Sequence, residues 1–121
     1  MSEICLDSSI LISIADRTIQ KNAMDLLEQN SPAISIIAYA ELARYFIKKG
    51  GIKIWEDVQG QLEAFRVISL DTETCQLSAE TSQKHALAFA DSLIYSCAIR
   101  NGMKLLTKDS DFRGLKGAIV V

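Results

Sequence analysis

Two acidic residues, Asp91 and Asp109, frame a predicted helix and strand in the C-terminal third of the chain. The segment that Asp91 opens repeats apolar residues at helical spacing, and Asn101-Gly102 closes it as a C-terminal cap would. The short apolar run over 103–106 then stops at a polar loop containing Asp109, as a buried parallel strand would. In open α/β sheets, ligands bind beside the carboxyl ends of the strands. We therefore expect both carboxylates to face one crevice.

Two further acids, Asp7 and Glu41, occupy comparable places earlier in the chain. Asp7 follows an apolar run over 3–6 and precedes a predicted helix, so it could bind a ligand or simply cap that helix. Glu41 lies within an apolar helical segment, where an unpaired carboxylate is costly. Its alternative role is structural, as the partner of Arg44 in an ion pair or of Tyr45 in a hydrogen bond.

The four acids are expected to meet at one edge of the predicted sheet. Asp7 and Asp109 each end a strand, whereas Glu41 and Asp91 are each placed in the first turn of a helix. Carboxylates a few ångströms apart repel by about 1 to 4 kcal/mol per pair, so only a cation makes such a cluster useful. Oxygen ligands without cysteine or histidine favour Mg²⁺ or Mn²⁺, whose waters can exchange for phosphate oxygens. The pattern indicates metal-assisted phosphodiester hydrolysis. For Asp111, nearby, an ordinary loop position is the simpler interpretation.

The composition fits one globular domain over residues 1–121. Hydrophobic residues make up 49% of the chain and charged residues 23%, which is wrong for a disordered protein. No apolar stretch could span a bilayer and no signal peptide is visible, so we expect a cytoplasmic protein. The three cysteines lie far apart, which argues against a disulfide framework. The net charge of −2 gives no basic footprint, so a phosphate-bearing substrate would need a metal ion.

Strands and helices are predicted to alternate along the whole chain without a repeat or linker. This alternation favours the α/β class, as a three-layer α/β/α sandwich with a mostly parallel central sheet. The predicted strands cover residues 3–6, 33–36, 65–70, 103–106 and 118–121.

Four short motifs resemble those of PIN-domain ribonucleases of the VapC toxin type. They are Ile-Cys-Leu-Asp-Ser-Ser-Ile-Leu-Ile at 4–12, Ile-Ser-Ile-Ile-Ala-Tyr-Ala-Glu-Leu at 34–42, Ala-Asp-Ser-Leu-Ile-Tyr-Ser-Cys-Ala at 90–98, and Leu-Thr-Lys-Asp-Ser-Asp-Phe at 106–112. They occur in the family's order and span the chain. The resemblance implies a metal-dependent endoribonuclease that acts on structured RNA, usually tRNA or rRNA. It also implies a homodimer that is neutralised by a cognate VapB-like antitoxin.

The family's functional positions carry over residue by residue. The resemblance implies that Asp7, Glu41 and Asp91 hold the principal metal ion and that Asp109 completes the pocket, with Asp111 as a rival for this last position. It further implies that Ser9 and Thr107 orient these groups or the attacking water. Two departures from the family pattern concern neighbouring hydrogen bonds. They are Ala38, where threonine is common, and Ser8-Ser9, where Thr-Asn is common.

Two other functions remain open from the sequence. One is a receiver-like signalling domain, since residues 67–71 resemble a strand ending in a phosphorylatable acid, Asp71, although the pair of acids expected near the first strand is missing. The other is a PIN-fold protein that binds RNA or a partner without cutting.

An antitoxin is expected to place an arginine in the acidic pocket and an amphipathic segment on an apolar surface. The residues predicted to form that surface are Ile10, Leu11, Ile14, Tyr39, Leu42 and Phe46.

Overall fold

The computed structural model describes residues 2–121 and contains a five-stranded sheet in which every paired strand is parallel. The strands are β1 (Glu3–Leu6), β2 (Ser31–Ser35), β3 (Arg66–Ile68), β4 (Lys104–Thr107) and β5 (Ala118–Val120). Their order across the sheet is β3-β2-β1-β4-β5. From β1 the chain adds β2 and β3 on one side of the sheet, and it then adds β4 and β5 on the other side of β1. The strand order therefore reverses between β1 and β4.

Six helices cover the two faces of the sheet. They are α1 (Ser8–Ala15), α2 (Lys21–Gln29), α3 (Ile36–Gly50), α4 (Ile52–Leu62), α5 (Thr72–His85) and α6 (Phe89–Arg100). Right-handed crossovers put α1 to α4 on one face and α5 with α6 on the other. The predicted α/β sandwich with a parallel sheet is confirmed. Within residues 2–121, no helix combines the length and the apolar character needed to cross a membrane.

The two central strands are buried on both faces, as expected for the middle of a parallel sheet. Cys5, Leu6, Leu105 and Leu106 have no exposed surface. Leu6 and Leu106 are register partners, and the backbone N–H of Asp7 donates to the Leu106 carbonyl at 2.9 Å. The pairing of β1 with β4 therefore fixes the position of Asp7 relative to the end of β4.

Element boundaries differ from the prediction at β2 and β3. Strand β2 covers Ser31–Ser35, so it begins two residues before the predicted strand over 33–36 and includes Pro32. Proline is tolerated here because it is near the start of the strand. Strand β3 covers only Arg66–Ile68, and most of its residues are exposed because it is an edge strand.

Candidate active site

Asp7 lies directly after β1 and is buried, with 4% of its surface exposed. It occupies the N-cap position of α1, but its side chain makes no capping hydrogen bond. Instead, its Oδ2 accepts hydrogen bonds from the Ser9 hydroxyl at 2.8 Å and the Thr107 hydroxyl at 2.7 Å. The interpretation of this carboxylate as a helix cap is therefore wrong. It is held by one side chain from the first turn of α1 and one from the end of β4.

Ser9 and Thr107 connect the ends of β1 and β4 through backbone groups as well. The Lys108 N–H donates to Ser9 Oγ at 3.0 Å, and the Asp109 N–H donates to Thr107 Oγ1 at 3.0 Å. The two hydroxyl oxygens lie 3.4 Å apart. Both residues that the sequence singled out beside the acids thus fix the carboxylate of Asp7 and the loop that leads to Asp109.

Glu41 projects from the second turn of α3 rather than the first, because the helix begins at Ile36. Its Oε1 accepts a hydrogen bond from the Ser8 hydroxyl at 3.1 Å. Among residues 2–121 it makes neither the ion pair with Arg44 nor the hydrogen bond with Tyr45 that the sequence left open. Burial raises the pKa of Glu41, the Ser8 hydrogen bond opposes this rise, and the charge of Asp7 adds to it. Ser8 is a partner that the sequence analysis had not assigned.

Asp91 lies in the first turn of α6 and is half-buried. Neither Asp91 nor Ser92 caps this helix, since the N-cap is Ala88 and the buried Ser92 hydroxyl donates back to the Ala88 carbonyl. The pKa of Asp91 is raised to about 6, first by burial and then by four negative charges. In order of effect, these belong to Asp109, Asp7, Glu41 and Asp111. All five acids therefore share one electrostatic environment around Asp91.

Asp109 and Asp111 flank the start of a short 3₁₀ helix, Ser110–Phe112, that follows β4. Asp109 is its N-cap, and its Oδ1 accepts a hydrogen bond from the Asp111 N–H at 2.9 Å. Carboxylate oxygens of Asp91, Asp109 and Asp111 all lie within 4.8 Å of one another. The tightest group of acids thus includes Asp111, for which the sequence favoured an ordinary loop position.

The chemistry of this donor set fits a hard divalent cation. The ligand atoms are all carboxylate oxygens, which suit Mg²⁺, Mn²⁺ or Ca²⁺. Within the described part of the chain, none of the five acids forms an ion pair with a basic side chain. No ion pair in this part of the chain offsets their mutual repulsion, although the charge of Arg44 lowers the pKa of Glu41. Asp91, Asp109 and Asp111 could together bind a metal ion.

Replacing Thr107 with valine should destabilise the fold. Valine keeps the shape of this fully buried side chain but removes the hydroxyl that bridges Asp7 and the Asp109 N–H. We expect a loss of about 1–3 kcal/mol in the free energy of unfolding, measured by urea denaturation. Thr107→Ser keeps the hydroxyl but loses the buried methyl group, so it measures the cost of the packing change alone. A Thr107→Val protein as stable as wild type would contradict this role.

The sequence of the chain matches the family model described as "PIN domain" over residues 4–118. No curated protein matches the sequence significantly. Solved structures do resemble it over nearly its full length. A toxin-antitoxin complex from Klebsiella pneumoniae contains a chain with 24% identity and a TM-score of 0.82, covering 97% of this chain and 96% of that one.

Two further structures have similar folds. VapBC2 from Rickettsia felis, bound to a DNA fragment from its promoter, shares 25% identity with a TM-score of 0.75, covering 98% of this chain and 97% of that one. FitAcB from Neisseria gonorrhoeae shares 19% identity with a TM-score of 0.77, covering 98% of this chain and 96% of that one. With the family model matching 4–118 and these folds agreeing along the chain, the protein belongs to the PIN domain family.

Proposed function

We propose that the chain is a metal-dependent endoribonuclease that acts as the toxin of a VapBC-type toxin–antitoxin module. The observation that carries this proposal is the position of Asp91, half-buried among four other acids with no protein cation paired to any of them in residues 2–121. Such an arrangement suits binding of a divalent ion and, through it, a phosphate. Membership of the PIN family and the likeness to solved toxin–antitoxin complexes support the same function.

Mg²⁺ or Mn²⁺ would be held by Asp7, Glu41, Asp91 and Asp109, with Asp111 as a further ligand or a rival of Asp109. When bound, the ion would supply Lewis-acid stabilisation for the negative charge that develops on the scissile phosphate. The protein's part is to keep the carboxylates in place before substrate arrives. Ser9 and Thr107 fix the carboxylate of Asp7, and Ser8 fixes that of Glu41. These hydrogen bonds leave the remaining carboxylate oxygens to face the cation.

The ribonuclease activity is tested by incubating the purified chain with total cellular RNA in Mg²⁺, in Mn²⁺ and in EDTA. Sequencing of the new RNA 5′ ends identifies the target and the cut site. We expect cuts at few positions in structured RNA, tRNA or rRNA, only with a metal ion present, and none with Asp7→Asn. Absence of cleavage in both metals would refute the enzyme assignment and leave a PIN domain that binds without cutting.

The receiver-like alternative is not supported, since Asp71 is the N-cap of α5 and accepts the Thr74 N–H at 2.7 Å.

Asp109→Asn should reduce cleavage more than Asp111→Asn. Asp109 is partly buried and its charge acts on Asp91 more strongly than any other acid does, whereas Asp111 is exposed and acts most weakly. Asparagine can still accept the Asp111 N–H, so the first variant removes charge but keeps the 3₁₀ turn. We expect losses of about 100-fold and less than about 10-fold in kcat, respectively. The reverse order would identify Asp111 as the fourth acid.

An antitoxin is the proposed protein partner, and an apolar groove beside α1 is its proposed binding surface. This groove has a volume of about 470 Å³ and lies between α1, α3 and α4. Four residues of the surface predicted from the sequence contribute to it: Leu11, Ile14, Leu42 and Phe46. Ile10 does not, because it is fully buried in the core, and Tyr39 lines a separate cavity beside Trp55 and β3.

Co-expression with a small neighbouring gene product should restore growth and yield a stable complex. We call Asp7, Glu41, Asp91, Asp109 and Asp111 together the acid cluster. If an arginine in the partner's tail enters the acid cluster, mutating it to alanine should weaken inhibition even where binding persists.

We also propose a cytoplasmic homodimer, whose oligomeric state is tested by light scattering of the purified chain. A monomer at micromolar concentration would refute the dimer without affecting the enzyme assignment.

A further inference from the structure

A further cavity, which we call the α3 cavity, opens beside the acid cluster. Its volume is about 300 Å³, at the lower end for small-ligand sites. Glu41 and Ser8 line it, and they also carry the hydrogen bond that places the Glu41 carboxylate. The Glu41 side chain therefore belongs both to the acid cluster and to the wall of the cavity. The remaining lining residues are Ile12, Arg44, Tyr45 and Lys48.

The cations of this cavity come from one face of α3. Glu41, Arg44 and Lys48 follow one another at intervals of three and four residues, so their side chains lie along one stripe of the helix. Arg44 and Lys48 are both exposed, and neither is within ion-pair distance of an acid in the part of the chain that the structure describes. The charge of Arg44 acts on Glu41, but less than burial, the Ser8 hydrogen bond and the charge of Asp7 do. The helix dipole favours a cation such as Lys48 in the last turn of α3. It does not account for Arg44, because the effect of the dipole falls off within that turn.

The adjacent Lys49 provides a contrast. Its Nζ lies 3.5 Å from Asp16 and donates to the Tyr45 hydroxyl at 3.3 Å. The Tyr45 ring also packs edge-on against Phe46, with centroids 5.0 Å apart. Lys49 and Phe46 thus hold the wall of the cavity in place, while Arg44 and Lys48 remain available for an anionic ligand.

We propose that the α3 cavity binds the RNA strand next to the scissile phosphate, with Arg44 and Lys48 contacting flanking backbone phosphates and Ile12 and Tyr45 contacting a sugar or base. This inference rests on the proposed function in that RNA is the ligand. Flanking phosphates that approach the acid cluster are repelled by its carboxylates. A protein with a net charge of −2 needs local cations at that point to hold the strand.

RNA binding tests the proposal through its salt dependence. A short, fluorescein-labelled single-stranded RNA is titrated with Arg44→Ala/Lys48→Ala in an Asp91→Asn background, which prevents cleavage. Removing one cation that binds a phosphate should reduce the slope of log Kd against log salt by about 0.7, so the double variant should show a slope lower by about 1.4. The same relation predicts affinity about 25-fold weaker at about 0.1 M salt.

Matched variants separate a specific contact from a change in net charge. Lys53→Ala/Lys84→Ala removes two exposed lysines of α4 and α5 that lie outside the cavity, and it should leave the slope unchanged. Arg44→Lys/Lys48→Arg keeps both charges and should restore the slope. A merely structural role for these residues would lower the melting temperature but would not change the salt slope selectively.

Cleavage assays distinguish this inference from the ribonuclease assignment. In the otherwise wild-type background, Arg44→Ala/Lys48→Ala should raise KM for RNA about 25-fold with little change in kcat. It should hydrolyse bis-p-nitrophenyl phosphate, which has no flanking nucleotides, at the wild-type rate.

If the wild type cleaves RNA and the double variant matches the lysine control in slope and KM, the α3 cavity inference is wrong and the enzyme assignment stands. If the wild type cleaves neither substrate but the double variant has the reduced slope, the cavity binds RNA and the enzyme assignment falls. An unchanged slope with weaker binding of the antitoxin would make this a protein-binding site and overturn the inference.

Discussion

Asp91→Asn is expected to reduce RNA cleavage by about 1,000-fold or more, because the change removes the charge of a residue that we propose as a ligand to the metal ion. Asparagine keeps the size of the side chain, and α6 has its N-cap at Ala88, so the helix does not depend on this carboxylate. The charges of the other four acids of the cluster all raise the pKa of Asp91. Its loss should therefore weaken metal binding as well as turnover.

The measurement combines single-turnover cleavage with calorimetric titration of Mn²⁺. Asp25→Asn, which changes an exposed acid on α2, is the matched control and should behave as wild type in both assays. A folded Asp91→Asn protein with full activity would show that the metal site has been assigned to the wrong residues.

The same variant should be more stable than wild type in metal-free buffer, and the difference should depend on pH. The pKa of Asp91 is raised from its ordinary 3.8 to about 6 in the folded protein, first by burial, so folding disfavours its charged form. Below about pH 4 the group is protonated in both the folded and unfolded states, and the two proteins should melt alike. As the pH rises through about 6, the wild type should lose stability relative to the variant. Thermal melts in EDTA at several pH values measure this difference.

Strand ends in a parallel sheet share an edge, so the sequence was sufficient to place Asp7 and Asp109 near one another, and the charges of both act on Asp91. Leu6 and Leu106 each end an apolar run, and their pairing brings Asp7 beside Thr107. The hydrogen-bond partners were less predictable. The structural alternative for Glu41 was a partner on its own helix, whereas its hydrogen-bond partner is Ser8, 33 positions earlier in the chain.

The grouping of Asp111 with Asp91 and Asp109 also depends on geometry that spacing does not contain. The 3₁₀ turn after Asp109 brings the carboxylates of Asp109 and Asp111 close to Asp91 in α6. From the sequence alone, two acids separated by one residue in a loop do not reveal whether their side chains point the same way. The burial of Ile10 has a similar origin. Helical periodicity places it on the apolar stripe of α1, but only packing against the sheet decides which part of that stripe faces the core.

Glu41→Gln should reduce cleavage by about 100- to 1,000-fold and raise the melting temperature in metal-free buffer. Burial and the charge of Asp7 raise the pKa of Glu41, so the folded state disfavours its ionised form. Glutamine removes the charge but retains an oxygen that can accept the Ser8 hydroxyl. The gain in stability should vanish below the ordinary pKa of 4.5, where the wild-type carboxyl group is protonated in both states.

Ser8→Ala should have the opposite effect on stability, which makes the two variants a paired test. It leaves the half-buried Glu41 carboxylate without its hydrogen-bond donor, so we expect a loss of about 0.5–1.5 kcal/mol in metal-free buffer at neutral pH. In Glu41→Gln/Ser8→Ala the loss should be smaller, because the unpartnered group is then uncharged. Urea denaturation of the four proteins gives the coupling energy directly, with Glu56→Gln on the exposed face of α4 as the control for removing an acid. If Glu41→Gln unfolds more readily than wild type at neutral pH, Glu41 contributes to stability through its charge, and its place in the metal site must be given up.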